Sequence, residues 1–278
     1  MARCEVCFRH CEIREGARGF CGARICRGGK IVADNYGRVT SLALDPIEKK
    51  PLNRFFPGSM ILSVGSYGCN LRCPFCQNSE ISWGEEAIGF AETAQEITPE
   101  ELADAAVRLK AKGNIGVAFT YNEPLIGYEF VRDTAKLVQK AGLKNVMVTN
   151  GTAELAVLSE ILPFIDAMNV DLKCFSKDTY KDVLGGDFEM VKAFIREAAK
   201  YCHVELTTLI VPGMNDSPEE MRELTAWIRT LDADIPLHIS RFFPRFHMQD
   251  RKATDVDRIY ELAELAHEDL KYVYTGNC

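Results

Sequence analysis

A chain of 278 residues, 47% hydrophobic and 26% charged, is long enough to bury a full core and has the composition of a globular protein. Cys4, Glu5, Arg9 and Glu12 interrupt any apolar leader, and the longest apolar runs, such as Met60–Val64, are far too short to cross a bilayer; this argues against a secreted or membrane-spanning protein and for the cytoplasm. The net charge of −7 is uneven: residues 1–58 hold eleven Lys and Arg against six Asp and Glu, a balance of +5, and the remainder holds −12. That asymmetry fits solvated faces alone, or a basic N-terminal module that helps to hold an anionic substrate or nucleic acid.

In chain order, the first forty-odd residues are rich in Cys, Gly and Arg and show no long amphipathic period. They read as a small loop-rich module held together by ligands more than by a core of its own. Eight of the chain's eleven cysteines fall in two groups, Cys4, Cys7, Cys11, Cys21 and Cys26, then Cys69, Cys73 and Cys76. Clusters of this kind in a cytosolic chain are metal ligands more often than disulfides. Cys4, Cys7, Cys11 and Cys21 suit a second metal site, with Cys26 a spare or an alternative fourth ligand. A four-cysteine zinc and an auxiliary iron–sulfur cluster both use thiolates, so composition does not separate them, and reduced structural thiols are a third reading. A polar connector follows at 45–52, where Pro46 and Pro51 exclude a continuous helix. The expected division is a Cys-rich module with its connector over 1–58 and an α/β core over 59–278.

Within the core, strand-like runs fall at Met60–Val64, Gly116–Thr120, Asn145–Thr149, Ala167–Leu172, Val204–Val211 and Leu237–Ser240. Helical patterns separate or follow them at Pro99–Lys112, Tyr128–Lys140, Ala153–Leu162, Phe188–Tyr201, Pro218–Leu231 and Asp255–Glu268. Thr98-Pro99-Glu100-Glu101 and Ser217-Pro218-Glu219-Glu220 are helix starts, each a hydroxyl cap, a proline at N1 and acids at the positive end of the dipole. Six strands alternating with helices predict a parallel sheet with right-handed crossovers. Six units are too few for the closed eight-unit barrel, which leaves a curved open sheet or a flat doubly wound one; either gathers chemistry at the C-terminal strand ends.

Directly after the first of these strands stands Gly68-Cys69-Asn70-Leu71-Arg72-Cys73-Pro74-Phe75-Cys76, a C-x3-C-x2-C spacing. A structural zinc wants four protein ligands, whereas a [4Fe–4S] cluster on three thiolates keeps one iron open to an outside ligand. A partial zinc knuckle is the alternative for the spacing alone.

With an aromatic residue before its third cysteine, this segment resembles the motif of the radical S-adenosylmethionine (radical SAM) superfamily. That likeness implies a partial (β/α)6 TIM-like barrel and an oxidoreductase-type enzyme. It also implies that Cys69, Cys73 and Cys76 hold a [4Fe–4S] cluster at which S-adenosylmethionine is reductively cleaved to a 5′-deoxyadenosyl radical. Thr120-Tyr121-Asn122-Glu123-Pro124 sits where the superfamily places a Gly-Gly-Glu stretch that binds the cofactor's amino group, so the resemblance assigns Asn122 and Glu123 to the methionine end. Val148-Thr149-Asn150-Gly151 and Asp171-Leu172-Lys173 resemble segments of pyruvate formate-lyase activating enzyme that line the rest of the cofactor, which nominates Thr149, Asn150, Asp171 and Lys173. Leu209–Gly213 and Arg241–His247 resemble its later strand exits, with Arg241 a further cofactor-binding candidate. Those enzymes carry an acid where this sequence has Val148; Asp171 and the hydroxyl of Thr149 remain of that cation site.

Cys4-x2-Cys7-x3-Cys11-x9-Cys21-Gly22-Ala23-Arg24, Asp45–Leu52, Phe56-Pro57-Gly58-Ser59 and Cys76-Gln77-Asn78 are similar over essentially the whole chain to radical SAM enzymes of the AmmeMemoRadiSam system. That implies partners of the Memo and AMMECR1 families, and reduced flavodoxin or ferredoxin as electron donor. The substrate is open: a protein glycine, as for a glycyl-radical enzyme activating enzyme, or RNA, a peptide or a small molecule. The rival is a non-catalytic iron–sulfur carrier or adaptor for those partners. Among lone residues, Cys174 and Cys202 read as buried small hydrophobes and His238 as packed in its strand. His247, Arg241 and Arg245 face anionic groups or cofactor in this reading. The tail ending in Cys278 reads as flexible, with a fold back over the sheet edge and Cys278 at the active site as the alternative.

Overall fold

The computed structural model describes residues 1–278, with the side chains of Glu85 and Ala91 outside the description. Its main sheet has eight strands: β1 (Ser41–Pro46), β2 (Met60–Gly65), β3 (Asn114–Phe119), β4 (Lys144–Thr149), β5 (Ala167–Asp171), β6 (His203–Ile210), β7 (Leu237–Arg241) and β8 (Val273–Gly276). They lie in strict chain order, β1 antiparallel to β2 and every later pair parallel. A doubly wound sheet reverses its strand order at a switch point. This one never reverses, so successive right-handed crossovers place the helices on one face and the sheet is an open partial barrel.

The helices are α1 (Gly84–Thr93), α2 (Pro99–Arg108), α3 (Tyr128–Lys140), α4 (Leu155–Ile161), α5 (Phe188–Ala198), α6 (Pro218–Leu231) and α7 (Val256–His267), with short helices at Ser79–Ser82 and Lys177–Asp182. The Thr98 start forms a full capping box: its Oγ accepts from Glu101 N–H at 3.2 Å, and its own N–H donates to the Glu101 carboxylate at 2.8 Å. Helix α3 buries Phe130, Val131, Thr134, Ala135 and Val138, a stripe at helical spacing turned to the sheet. No helix among the described residues is long and apolar enough to cross a membrane.

Alternation along the strands sorts residues between two faces. Leu62, Val117, Met147 and Met168 join the core beneath the helices, whereas Ile61, Ala118, Val146 and Ala167 pack on the other face against Ile47, Leu52 and Phe55. The segment after β1 therefore plugs the concave side of the sheet. Buried Glu205 pins it there, accepting from the N–H groups of Asn53 at 3.0 Å and Arg54 at 2.7 Å, while Asn169 Nδ2 donates to the Pro51 carbonyl at 2.8 Å.

Three expectations change. The polar connector begins inside a strand, since Asp45 and Pro46 end β1, and Pro46 is tolerated because β1 is an edge. The sheet has eight strands instead of six. The tail is not loose: Val273–Gly276 pairs with β7 as the opposite edge, and Cys278 beyond it is exposed. Asp45 is the one buried residue of β1 and β8 has none, so neither carries the apolar alternation that marks the inner strands.

Candidate active site

The Cys69–Cys76 loop leaves the C-terminal end of β2, and Asn122 holds its entrance. Asn122 Oδ1 accepts from Ser66 N–H at 2.9 Å, and its Nδ2 faces the carbonyls of Tyr67 and Gly68 at 3.2 and 3.3 Å. Its structural contacts are thus those of a positioning residue. Gly68 has φ +89, and a Cβ there would stand 2.5 Å from the Cys21 carbonyl oxygen and 3.0 Å from Ala23 Cβ. Only glycine lets the loop lie this close to the N-terminal segment. Gly68→Ala is expected to cost about 2–4 kcal/mol from backbone strain and the clash together. A thermal melt within a degree of the unsubstituted protein would contradict that.

Glu123, buried at 3% exposure, is the centre of the bracket beside the cysteines. Its carboxylate accepts from Thr149 Oγ at 2.6 Å, Asn150 N–H at 2.7 Å and Leu125 N–H at 3.0 Å. Burial pushes its pKa up to about 7 against these three donors, with Asp171 adding to the rise. Asn150 then reaches the cysteines: its Nδ2 lies 2.9 Å from Asn70 Oδ1 and 3.6 Å from Cys69 Sγ. Asn70, 1% exposed, donates in turn to the Thr152 carbonyl at 2.7 Å.

Lys173 Nζ pairs with Asp171 Oδ2 at 2.9 Å. Burial opposes its charge, but Asp171 and the Cys73 thiol outweigh it and hold Lys173 protonated above the usual lysine range. Burial also drives the Cys73 thiol up to about 11, with Lys173 pulling the other way. Iron offsets such a penalty, because thiolates rather than thiols ligate it.

No three His, Cys, Asp or Glu side chains among the described residues converge closely enough to share a single ion. Three thiols on one loop, with an amide donor at Cys69 and a lysine by Cys73, do fit a [4Fe–4S] cluster, whose corners hold its ligands apart.

Arg241 is the last residue of β7. Its Nε donates to the Thr254 carbonyl at 2.7 Å, and its guanidinium lies over Phe243. His247 lies against the cysteine loop, its N–H donating to the Pro74 carbonyl at 3.0 Å and its ring set against Trp83. Cys174 is fully buried and Cys202 half-buried, while His238 is buried with its Nε2 on Glu205 at 2.6 Å. Sequence reasoning missed Asn70, Arg72 and Arg9. Arg72 Nη1 donates to the Cys69 carbonyl at 2.9 Å, and Arg9 Nε to the Asn70 carbonyl at 2.8 Å. Asn70 and Arg72 stand inside the motif and were legible there as non-cysteine polar residues; Arg9 carries no such signal.

Residues 63–225 match the family model of the Radical SAM superfamily. The chain belongs to the radical SAM superfamily. It is an enzyme of the class that cleaves S-adenosylmethionine, and the family implies a [4Fe–4S] cluster together with that cofactor. An uncharacterized protein of Methanocaldococcus jannaschii is 42% identical over 279 residues, spanning 99% of this chain and 81% of that one. The pyruvate formate-lyase-activating enzyme of Clostridium pasteurianum is 30% identical over 171 residues, 59% of this chain and 67% of that enzyme. Among solved structures, Streptococcus suis SuiB bound to S-adenosylmethionine superposes with a TM-score of 0.59 at 13% identity, over 76% of this chain and 48% of SuiB. At that identity the likeness establishes the radical SAM fold alone.

Proposed function

We propose that Cys69, Cys73 and Cys76 hold the [4Fe–4S] cluster and that the enzyme removes a hydrogen atom from a substrate admitted at the C-terminal strand ends. When bound, the cluster supplies one electron to the sulfonium of S-adenosylmethionine, which releases methionine and a 5′-deoxyadenosyl radical. This chain's residues do the rest. Asn122 and Gly68 position the cysteine loop, and Thr149, Asn150 and the Asp171–Lys173 pair line the cofactor's side of the strand ends. Glu123 has three of its roughly four lone-pair directions filled. The fourth, on a buried carboxylate with a raised pKa, suits the ammonium of the cofactor's methionine end.

The observation that carries the reading is the contact between the bracket and the trio, Glu123 to Asn150 and Asn150 to Cys69. A carrier of electrons needs no such bracket, which disfavours the adaptor reading. Glu123→Gln is expected to weaken S-adenosylmethionine binding by about 10–100-fold, the worth of a charge-assisted hydrogen bond. Calorimetric titration showing unchanged affinity would remove Glu123 from the cofactor. In the unsubstituted protein, binding should tighten as pH rises through about 7 and the carboxylate ionises.

The name of the activating-enzyme relative favours a protein as substrate, and a glycine on that protein is the form it takes in the glycyl-radical reading. The division at 58/59, Memo- and AMMECR1-family partners, a flavodoxin or ferredoxin donor and a cytoplasmic site belong to the same proposal. Deuterium transfer from labelled extract fractions into 5′-deoxyadenosine would identify the substrate class.

A further inference from the structure

Cys4, Cys7, Cys11 and Cys21 line one small cavity, together with Arg9 and Arg24. Hydrogen bonds from Cys4 N–H to the Cys11 carbonyl at 2.9 Å and from His10 N–H to the Cys7 carbonyl at 3.1 Å fold the first three around it. Cys26 does not join them; its Sγ lies 3.5 Å from Glu15 Oε2. One zinc would need its four sulfurs each about 2.3 Å from a common centre, which leaves no open space between them, whereas these four enclose a cavity. The cavity also receives a buried cationic donor. Arg24 is 5% exposed and binds Glu129 through Nη1 at 2.7 Å, yet its Nε is buried without a partner. An anionic cluster with sulfur acceptors would satisfy it.

The two cysteine groups are neighbours. Gly68, next to Cys69, abuts the Cys21 carbonyl. Arg9, between Cys7 and Cys11 in sequence, donates to the Asn70 carbonyl and to that of Gly185. Arg9 and Arg72 sandwich Phe20, their guanidinium carbons 3.3 and 4.0 Å from its ring centroid. Two fixed cations thus stand between two sets of thiols.

We propose that Cys4, Cys7, Cys11 and Cys21 bind a second, fully protein-ligated [4Fe–4S] cluster that passes single electrons to the cluster on Cys69, Cys73 and Cys76. Four thiolates leave no iron open, so the second cluster takes no S-adenosylmethionine and serves electron transfer alone. A low-potential one-electron donor reduces it from the 2+ to the 1+ state, and its reoxidation reduces the first cluster by the same single electron. The relay clause rests on the reading of the trio given above; the second metal site does not.

The test uses the full chain, reconstituted anaerobically with iron and sulfide. The unsubstituted protein should hold about eight irons and eight sulfides and no zinc. A Cys69→Ala/Cys73→Ala/Cys76→Ala variant should keep about four irons whose electron paramagnetic resonance signal is indifferent to S-adenosylmethionine. A Cys4→Ala/Cys21→Ala variant should keep about four whose signal shifts when the cofactor is added. After dithionite reduction, the signal of the unsubstituted protein should be broadened by coupling between two nearby spins, and that of each variant should not. About four irons plus one zinc in the unsubstituted protein would overturn the proposal outright. Eight irons with two uncoupled signals would overturn the relay, and a trio variant without iron would overturn the second cluster. Loss of the cofactor-sensitive signal with the other four irons present would instead count against the reading of the trio.

Discussion

Cys73→Ala is expected to abolish production of 5′-deoxyadenosine from S-adenosylmethionine under dithionite, a loss on the order of a thousandfold or more. The reason is topological. Cys73 is the middle cysteine of a loop that is fixed on both sides of it: Asn122 holds the segment before Cys69, and Cys76 N–H donates to the Cys73 carbonyl at 3.1 Å. Neither outer cysteine can slide to replace it. The Cys73 thiol also lies in the field of Lys173, whose counter-charge is Asp171 at 2.9 Å, so the buried ammonium stays paired when the thiol is removed. Circular dichroism should stay at the unsubstituted value, because the loop is held by amides and glycine and not by the thiol. Continued turnover with a folded protein would end the assignment of the trio.

The elements that could be read from the sequence are those in which local chemistry and tertiary role agree. Helix α3 runs Tyr128–Lys140, as its apolar period predicts, and α6 Pro218–Leu231, as its apolar period and Ser217 cap predict. The inner strands are apolar on both faces, because one face meets helices and the other meets the Ile47–Phe55 plug. Strands β1 and β8 stayed hidden because an edge strand is defined by a neighbour's hydrogen bonds, which a local pattern does not encode. The choice between rolled and doubly wound sheets was hidden for a similar reason: it lies in strand order, and periodicity is silent on order.

The site divides in the same way. Cysteine spacing was legible because all three thiols fall on one short loop, and Glu123, Thr149 and Asn150 end or follow their strands. Arg241 was nominated on its guanidinium and on the resemblance of Arg241–His247 to a strand exit; its Nε donates to the Thr254 carbonyl and its guanidinium lies over Phe243. Asn122 was assigned to the cofactor, whereas its amide braces the cysteine loop. The Val148 departure keeps its meaning: Val148 is half-buried at the end of β4 and offers no oxygen to a cation.

Glu205 lies far from any motif, and its loss should be the most damaging to stability. The carboxylate is fully buried and accepts four hydrogen bonds, from His203 Nε2 at 2.9 Å, His238 Nε2 at 2.6 Å and the two N–H groups of Asn53 and Arg54. An ionised carboxylate only accepts, so both imidazoles present Nε2–H to it. Burial works against the charge, but the two histidines and the two amides prevail and lower its pKa to about 2. Against an ordinary glutamate value, that gap is worth about 3 kcal/mol of folding free energy. Because the folded value is depressed, the contribution is fully present above about pH 4.5 and disappears as pH falls towards 2. Glu205→Ala removes it and strands four donors, two of which anchor the plug beneath the sheet. The expected cost is about 3–5 kcal/mol, which for a chain of this size lowers the melting temperature by roughly 10 °C. The stability gap between the two proteins should narrow as pH is lowered through the same window. A gap that stays constant from pH 5 to pH 3 would mean that packing at position 205, and not the carboxylate charge, holds the plug in place.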